Sequence, residues 1–209
     1  MELLKADAAL RETHAGDIPE LMYATGPVSY DYHFGDRSLF DAVVLASWHA
    51  DGTLFAADAT TLAIEDGELA GIELGMKGDE YRKRQNALGP IWQALIQGGE
   101  IDPEAIPGVL ERSEHASWLN PVIHEDTYYI HALSVKPGFR GKRVGFQLID
   151  NAMRHARDAG YRKLQLDVLS DNPAVSFYRA VGLTLLAETT APKPAAFGVP
   201  TEYRMGMTL

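Results

Sequence analysis

The run from Tyr128 to Phe146, YYIHALSVKPGFRGKRVGF, constrains the fold more than any other stretch of this chain. Its first part is rich in β-formers, Tyr128, Tyr129, Ile130, Leu133 and Val135, and Pro137-Gly138 closes it. A basic, glycine-bearing loop follows, Arg140-Gly141-Lys142-Arg143-Val144-Gly145, and runs into apolar positions at helical spacing, Leu148, Ala152, Ala156 and Ala159. Strand, turn and helix start are therefore expected in direct succession. A helix start leaves its first amides unpaired and carries the positive end of the helix dipole. With three cationic side chains added, the loop is a ready anion site, and phosphate is the expected ligand.

Composition narrows the reading. The formal net charge of −10 argues against general nucleic-acid affinity and makes the basic loop a local exception. The absence of cysteine excludes a disulfide framework, a thiolate nucleophile of the chain's own and Cys-ligated zinc. The start, MELLKADAALRETH, lacks the apolar segment of a signal peptide, and no window approaches a membrane span, so a cytoplasmic protein with no membrane partner is expected. With 209 residues, 46% of them hydrophobic, the chain is expected to form a single domain over residues 1–209.

Taken in order, Leu10 to Thr13 reads as a short strand and Asp17 as the N-cap of a short helix. Ser38 to Trp48 reads as a helix. Leu62 to Glu65 and Glu68 to Leu74, joined by Asp66-Gly67, give the clearest hairpin signal. In its second strand Glu73 falls with Gly71 and Gly75, opposite the apolar face of Ala70, Ile72 and Leu74. Lys77 to Pro121 differs from its flanks: helix-prone from Glu80 to Gln97, broken by Gly89-Pro90 and Gly98-Gly99, then loop-rich around Pro103 and Pro107. It reads as a helical insertion between two strands. Leu164, Leu166 and Val168 alternate with Lys163, Gln165 and Asp167 as in a half-buried strand. Asn172-Pro173 starts a helix that Gly182 stops. Leu183 to Glu188 and Tyr203 to Met207 read as closing strands joined by a Pro-rich loop, Pro192 to Pro200. A strand near the C-terminus serves either the sheet or an interface with a second copy.

The succession V-x-P-x-[aromatic]-R-G-K-x-[aliphatic]-G, helix, strand and N-P-A-x-x-F-Y-x-x-x-G strongly resembles the GNAT superfamily of acyl-CoA-dependent N-acyltransferases, over Tyr128 to Leu183. The resemblance implies an α/β (α+β) fold with a mixed, mostly antiparallel sheet flanked by helices. The sheet would be splayed between the strand ending at Val135 and the one starting at Lys163, with residues 76–121 as the insertion. It implies acetyl-CoA as cofactor: the amides of Arg140, Gly141, Lys142, Arg143, Val144 and Gly145 on the pyrophosphate, and Leu133, Ser134 and Val135 on the pantetheine and acyl carbonyl. Asn172, Phe177 and Tyr178 complete the cofactor side. Two positions depart from the family pattern. Arg143 stands where a glycine is usual, and Asp171, not Asn172, lies seven residues before the tyrosine.

Acyl transfer to an amine needs a deprotonated nucleophile, a stabilised carbonyl oxygen and help for the departing thiolate. Tyr178 is the leaving-group candidate, against a packing role on an amphipathic helix. Glu73 and His131 are the candidate bases; each has a plain structural alternative, a solvated strand face for Glu73 and a hydrogen-bonded packing histidine for His131. No G-x-S-x-G, phosphate-loop or G-x-G-x-x-G motif occurs, and the seven histidines lack metal-ligand spacing. The expected activity is acetyl transfer from acetyl-CoA to an amine by direct attack in a ternary complex. The acidic charge, with Glu73, Glu125 and Asp126, favours a cationic small molecule as acceptor. The alternatives are a peptide N-acetyltransferase and a non-catalytic acyl-CoA-binding module. Tyr81, Trp92 and Trp118 of the insertion are the candidate acceptor-side aromatics.

Overall fold

The computed structural model describes residues 1–117, 119 and 122–209; Trp118 and Pro121 of the expected insertion lie outside the described residues. The chain begins with β1 (Glu2–Lys5), α1 (Ala8–His14), α2 (Ile18–Tyr23), α3 (Pro27–Phe34) and α4 (Arg37–Trp48). A hairpin follows, β2 (Thr60–Glu65) and β3 (Glu68–Lys77), then α5 (Tyr81–Asn86), α6 (Leu88–Gln97) and α7 (Ile106–His115). The remaining elements are β4 (Thr127–Val135), α8 (Val144–Asp158), β5 (Lys163–Leu169), α9 (Ala174–Ala180), β6 (Thr184–Thr189), α10 (Pro192–Phe197) and β7 (Glu202–Thr208).

One seven-stranded sheet runs in the order β1-β2-β3-β4-β5-β7-β6, antiparallel throughout except for β4 beside β5. The mixed, mostly antiparallel sheet flanked by helices is the architecture expected from the sequence. Asp66 and Gly67 both take positive φ, 52° and 82°, as a two-residue hairpin turn matched to strand twist requires. On one face Leu62, Ile72, Leu74 and Ala132 pack with Met22 of α2 and Phe40, Val43 and Val44 of α4. On the other, Ala63 and Ala70 meet Val144 and Leu148 of α8, while Ile130, Leu164 and Leu166 meet Ile149, Ala152 and Ala156. The central strands are thus buried on both faces.

Several local expectations are corrected. Leu10 to Thr13 is helical, because the Asp7 side chain accepts from the Leu10 amide at 2.9 Å and starts α1 two residues earlier, at Ala8. The N-terminal strand is instead Glu2–Lys5, paired with β2. Asp17 does stand before α2, but its side chain makes no cap; it ion-pairs with Lys136 at 2.7 Å. Pro107 and Pro192, taken as loop markers, sit in the first turns of α7 and α10, where a missing amide costs no hydrogen bond. Gly89-Pro90 similarly lies in the first turn of α6, and the break falls at Ala87.

The insertion is tied back at two points. Arg84 of α5 forms a two-armed ion pair with Asp58, at 3.0 and 3.1 Å. Arg112 of α7 donates to His33 O and Phe34 O, at 3.0 and 3.1 Å, placing a cation on the carbonyl end of α3.

The close approach of β3, β4 and α8 requires a glycine at 71. A Cβ there would stand 2.5 Å from Ser134 O and 3.2 Å from Val135 Cα, both backbone atoms that cannot rotate away. Gly71→Ala is expected to cost about 1–3 kcal/mol, measured as a lower urea midpoint with an unchanged slope.

Candidate acyl-transfer site

The sheet opens where β4 and β5 part. Their parallel ladder runs only from Thr127–Lys163 to Ile130–Leu166, although β4 continues to Val135 and β5 to Leu169. Each strand stays paired on its outer edge, β4 with β3 and β5 with β7. The facing inner edges, His131–Val135 and Asp167–Leu169, therefore carry backbone donors and acceptors with no cross-strand partner. Such groups call for water or a ligand. A cleft of about 1220 Å³ occupies the opening.

The mouth of this cleft is the basic loop. The first helical amide of α8 with a backbone acceptor is that of Gln147, to Arg143 O at 3.0 Å. The amides of Val144, Gly145 and Phe146 precede it and lack intrahelical partners. Gly141 and Arg143 both take left-handed backbone, φ 79° and 65°. That alternation curls successive amides toward one concave anion site. Arg143 thus occupies a usual glycine position whose backbone does favour glycine, and it takes the strain of a non-glycine residue there, roughly 1–2 kcal/mol. Its side chain lines the cleft and has no ion pair or hydrogen bond among the described residues. Arg140 also lines it, with its Nε donating to Val135 O at 3.3 Å. Lys142 does not; its ammonium lies over the Phe139 ring, 4.8 Å from the centroid.

Leu133, Ser134, Val135, Gly141, Val144, Gly145, Asn172, Phe177 and Tyr178 all line the same cleft. Asp171 lines it as well. The Asn172 side chain is engaged as a cap, its Oδ1 accepting from the Ala174 amide at 2.9 Å. Tyr178, on α9, is 6% exposed, and burial pushes its phenol up to about 12. It therefore stays protonated at any physiological pH and is available as a hydrogen-bond donor. Full proton transfer to an ordinary thiolate would be uphill by roughly 5 kcal/mol.

A second cavity, about 480 Å³, lies beside the first. Thr25, Gly26, His131, Asp167, Val168 and Leu169 line both. His131 stands at this junction among the rings of Phe55, Tyr81 and Tyr129, with centroids 5.6, 5.7 and 6.4 Å away. Its Nε2 is enclosed and without a hydrogen-bond partner, and burial pulls the imidazole down to about 4. At neutral pH it is an uncharged ring whose Nε2 has no hydrogen-bond partner among the described residues.

The structure separates Glu73 from this group. Glu73 is 1% exposed and lines neither cavity. It lies on the α8 side of the sheet, where Tyr128 Oη donates to its Oε1 at 3.0 Å and the Tyr128 ring packs against His155 and Tyr161. The solvated strand face weighed as its structural alternative is not what the fold provides, because α8 covers that face. Burial pushes the carboxyl up to about 7.

Sequence reasoning missed the wall opposite His131. Asp167, taken as an outward residue of β5, is held by Arg204 of β7 in a bidentate pair at 2.6 and 2.7 Å and accepts from Tyr129 Oη at 2.9 Å. The one available signal was a pair of opposite charges in two separate strands, whose register, Asp167 opposite Arg204, is set only by folding. Tyr30 and Phe34 of α3, which line the second cavity, gave no motif. Among the described residues, no cluster of three or more His, Asp or Glu side chains could hold a metal ion, and no helix is long and apolar enough to cross a membrane.

Residues 31–183 match the sequence model of the acetyltransferase (GNAT) family, and the chain belongs to that family. A 67-residue stretch is 33% identical to an uncharacterized N-acetyltransferase of Methanocaldococcus jannaschii; the match spans 32% of this chain and 30% of that protein. A crystal structure of an acetyltransferase superposes with a TM-score of 0.69 at 16% identity, over 100% of this chain and 99% of the other. An N-acetyltransferase from Staphylococcus aureus Mu50 gives 0.69 at 15%, over 99% and 100%. The ribosomal-protein-S18-alanine N-acetyltransferase from Escherichia coli gives 0.51 at 11%, over 99% and 92%. At these identities the likeness is one of fold. The family uses acetyl-CoA, and the cleft fits such a group: it offers two unpaired backbone edges, a curled run of amides and a cationic side chain with no partner among the described residues.

Two outcomes are expected. Arg143→Gly relieves the left-handed strain and raises the melting temperature by about 2–4 °C; it also weakens CoA binding severalfold at low salt, a difference that shrinks as salt screens the charge. For Glu73, a folded-state pKa of about 7 against an ordinary 4.5 means that the folded protein holds the extra proton, so stability falls as pH rises between those values. His131, depressed to about 4 from 6.5, has the opposite slope over a lower window. Urea melts from pH 5 to 8 should show Glu73→Gln removing a loss on the order of 3 kcal/mol at the alkaline end.

Proposed function

We propose that this chain is an acyl-CoA-dependent N-acetyltransferase that acetylates the amine of a small molecule, with both substrates bound at once and the amine attacking directly. The carrying observation is the meeting of two cavities at His131, one opening on the basic loop and the other beneath the insertion. Two adjoining sites support a ternary complex. A recess lined by α5, α6 and α7 supports a small acceptor over an exposed peptide N-terminus.

Acetyl-CoA, when bound, supplies an acetyl group activated as a thioester and a thiolate leaving group. The chain's own residues divide the remaining work. The amides of Gly141 to Gly145, with Arg140 and Arg143, hold the phosphates; Lys142 adds charge from the flank. The free inner edge of β4 at Leu133, Ser134 and Val135 takes up the pantetheine, and Phe177 and Asn172 bound the far wall. Backbone donors at the β4 edge hydrogen-bond the carbonyl oxygen as charge develops. Tyr178 donates a hydrogen bond to the sulfur. The amine attacks in its neutral form, its first proton lost to solvent, and His131, whose ring lines both cavities, accepts the second proton from the nitrogen. A weak base suffices, because that proton becomes acidic once the nitrogen gains positive charge on bonding to carbon. Glu73 acts in none of these steps; its carboxyl is sealed beneath α8.

Tyr178→Phe is expected to lower kcat by at least about tenfold, with CoA affinity unchanged. His131→Gln should do the same at neutral pH, whereas Glu73→Gln should retain both kcat and the acidic limb of the rate profile. Thiol release from acetyl-CoA, followed across pH with an amine panel, measures all three. Loss of activity in Glu73→Gln alone, in a folded variant, would return the base to Glu73. CoA binding without release over the whole panel would favour the non-catalytic module.

A further inference from the structure

The second cavity has a chemical character that the family's fold does not dictate. Tyr30 and Phe34 of α3, Phe55, Tyr81, Trp92 and Tyr129 all line it, and Phe34 stacks on Trp92 at 6.0 Å and 24°. Its charged lining residues are Asp167 and Glu202, with no lysine or arginine among the described residues. Asp167 is matched by Arg204, which itself lies outside the lining. Glu202 also interacts with Arg204, so two carboxylates share one cation, and its charge, besides burial, helps push the phenols of Tyr30, Tyr81 and Tyr129 up. The two histidines in the wall, His33 and His131, are held neutral by burial and add no positive charge.

An anionic acceptor would find no cation here and would face carboxylates. A small hydrophilic amine would leave most of an aromatic wall in contact with water, while the faces of tyrosine and tryptophan favour both apolar bodies and cations. The volume, about 480 Å³, lies in the range that encloses a small organic ligand.

We infer that the second cavity selects a cationic amine with an aromatic or bulky apolar body, seated against Trp92, Phe34 and Tyr81 with its nitrogen toward His131 and the carboxylate side. This rests on the proposed transferase reading for the identity of the cavity as acceptor site, but the binding chemistry stands apart from catalysis. Leu110, on α7, is 64% exposed and lines the same cavity, so it marks the mouth and can be recharged without disturbing the core.

The test is calorimetric binding to the full chain near neutral pH, with no acyl donor present. The probes are 2-phenylethylamine, ethylamine, and 3-phenylpropionate as the anion with the same ring. The first is expected to bind at least about tenfold tighter than either of the others. Trp92→Ala and Leu110→Lys should each weaken it about fivefold or more, and Leu110→Glu should not. CoA titration of each variant checks that the fold is intact. Equal binding of the acid, equal binding of ethylamine, no phenylethylamine binding, or indifference to both weakening substitutions in folded variants overturns the inference. The two readings separate cleanly. Efficient acetylation of ethylamine without phenylethylamine binding sinks the pocket assignment and keeps the transferase; selective binding with no acetyl transfer to any amine does the reverse.

Discussion

The site depends on β4 and β5 staying together for a short ladder and then parting. Parallel strands held by the last paired residues, Ile130 and Leu166, open a cleft whose walls are backbone. Each strand can afford its unpaired edge because its other edge is tied down, β4 along β3 and β5 along β7. The Asp167–Arg204 pair strengthens the second of these ties at the level where the cleft is widest in chemical use. Closing the ladder to Val135 would satisfy the backbone and remove the binding site. The unpaired groups leave a row of donors and acceptors along each strand for a ligand to meet.

From that opening the two helices that wall the cleft take their places. Helix α8 follows β4 through the basic loop, so its amide end faces the cleft mouth, and α9 follows β5, so Tyr178 looks in from the opposite wall. Apart from the Asp167–Arg204 pair, burial sets the electrostatics. Tyr178 is kept protonated, His131 is kept neutral with a free nitrogen, and Glu73 is kept out of reach. A group's distance from water thus decides its part here as much as its residue type does.

The half of the site built from local chemistry was legible in the sequence. The basic loop, the strand before it and the Asn172 helix start are each written in contiguous residues, and Asp66-Gly67 announced its hairpin. What was not legible came from residues far apart in the chain. Glu73 reads as an outward residue until α8, which begins about seventy positions later, covers it. Asp167 reads as a solvated strand position until β7 brings Arg204 beside it. Proline misled in another way: Pro107 and Pro192 punctuate loops in a local reading, yet both serve at helix starts, where their fixed φ is an advantage.

The insertion leaves the sheet at Lys77 and the chain re-enters it by Tyr128, and these two residues are register partners in adjacent strands. The excursion of α5, α6 and α7 therefore begins and ends at nearly the same point in space, across a pair that β3 and β4 hold without its help. Such a segment behaves as a cassette. Its connecting loops can lengthen or shorten without moving β3 or β4, whereas the side chains that reach the core and the second cavity are held to their partners.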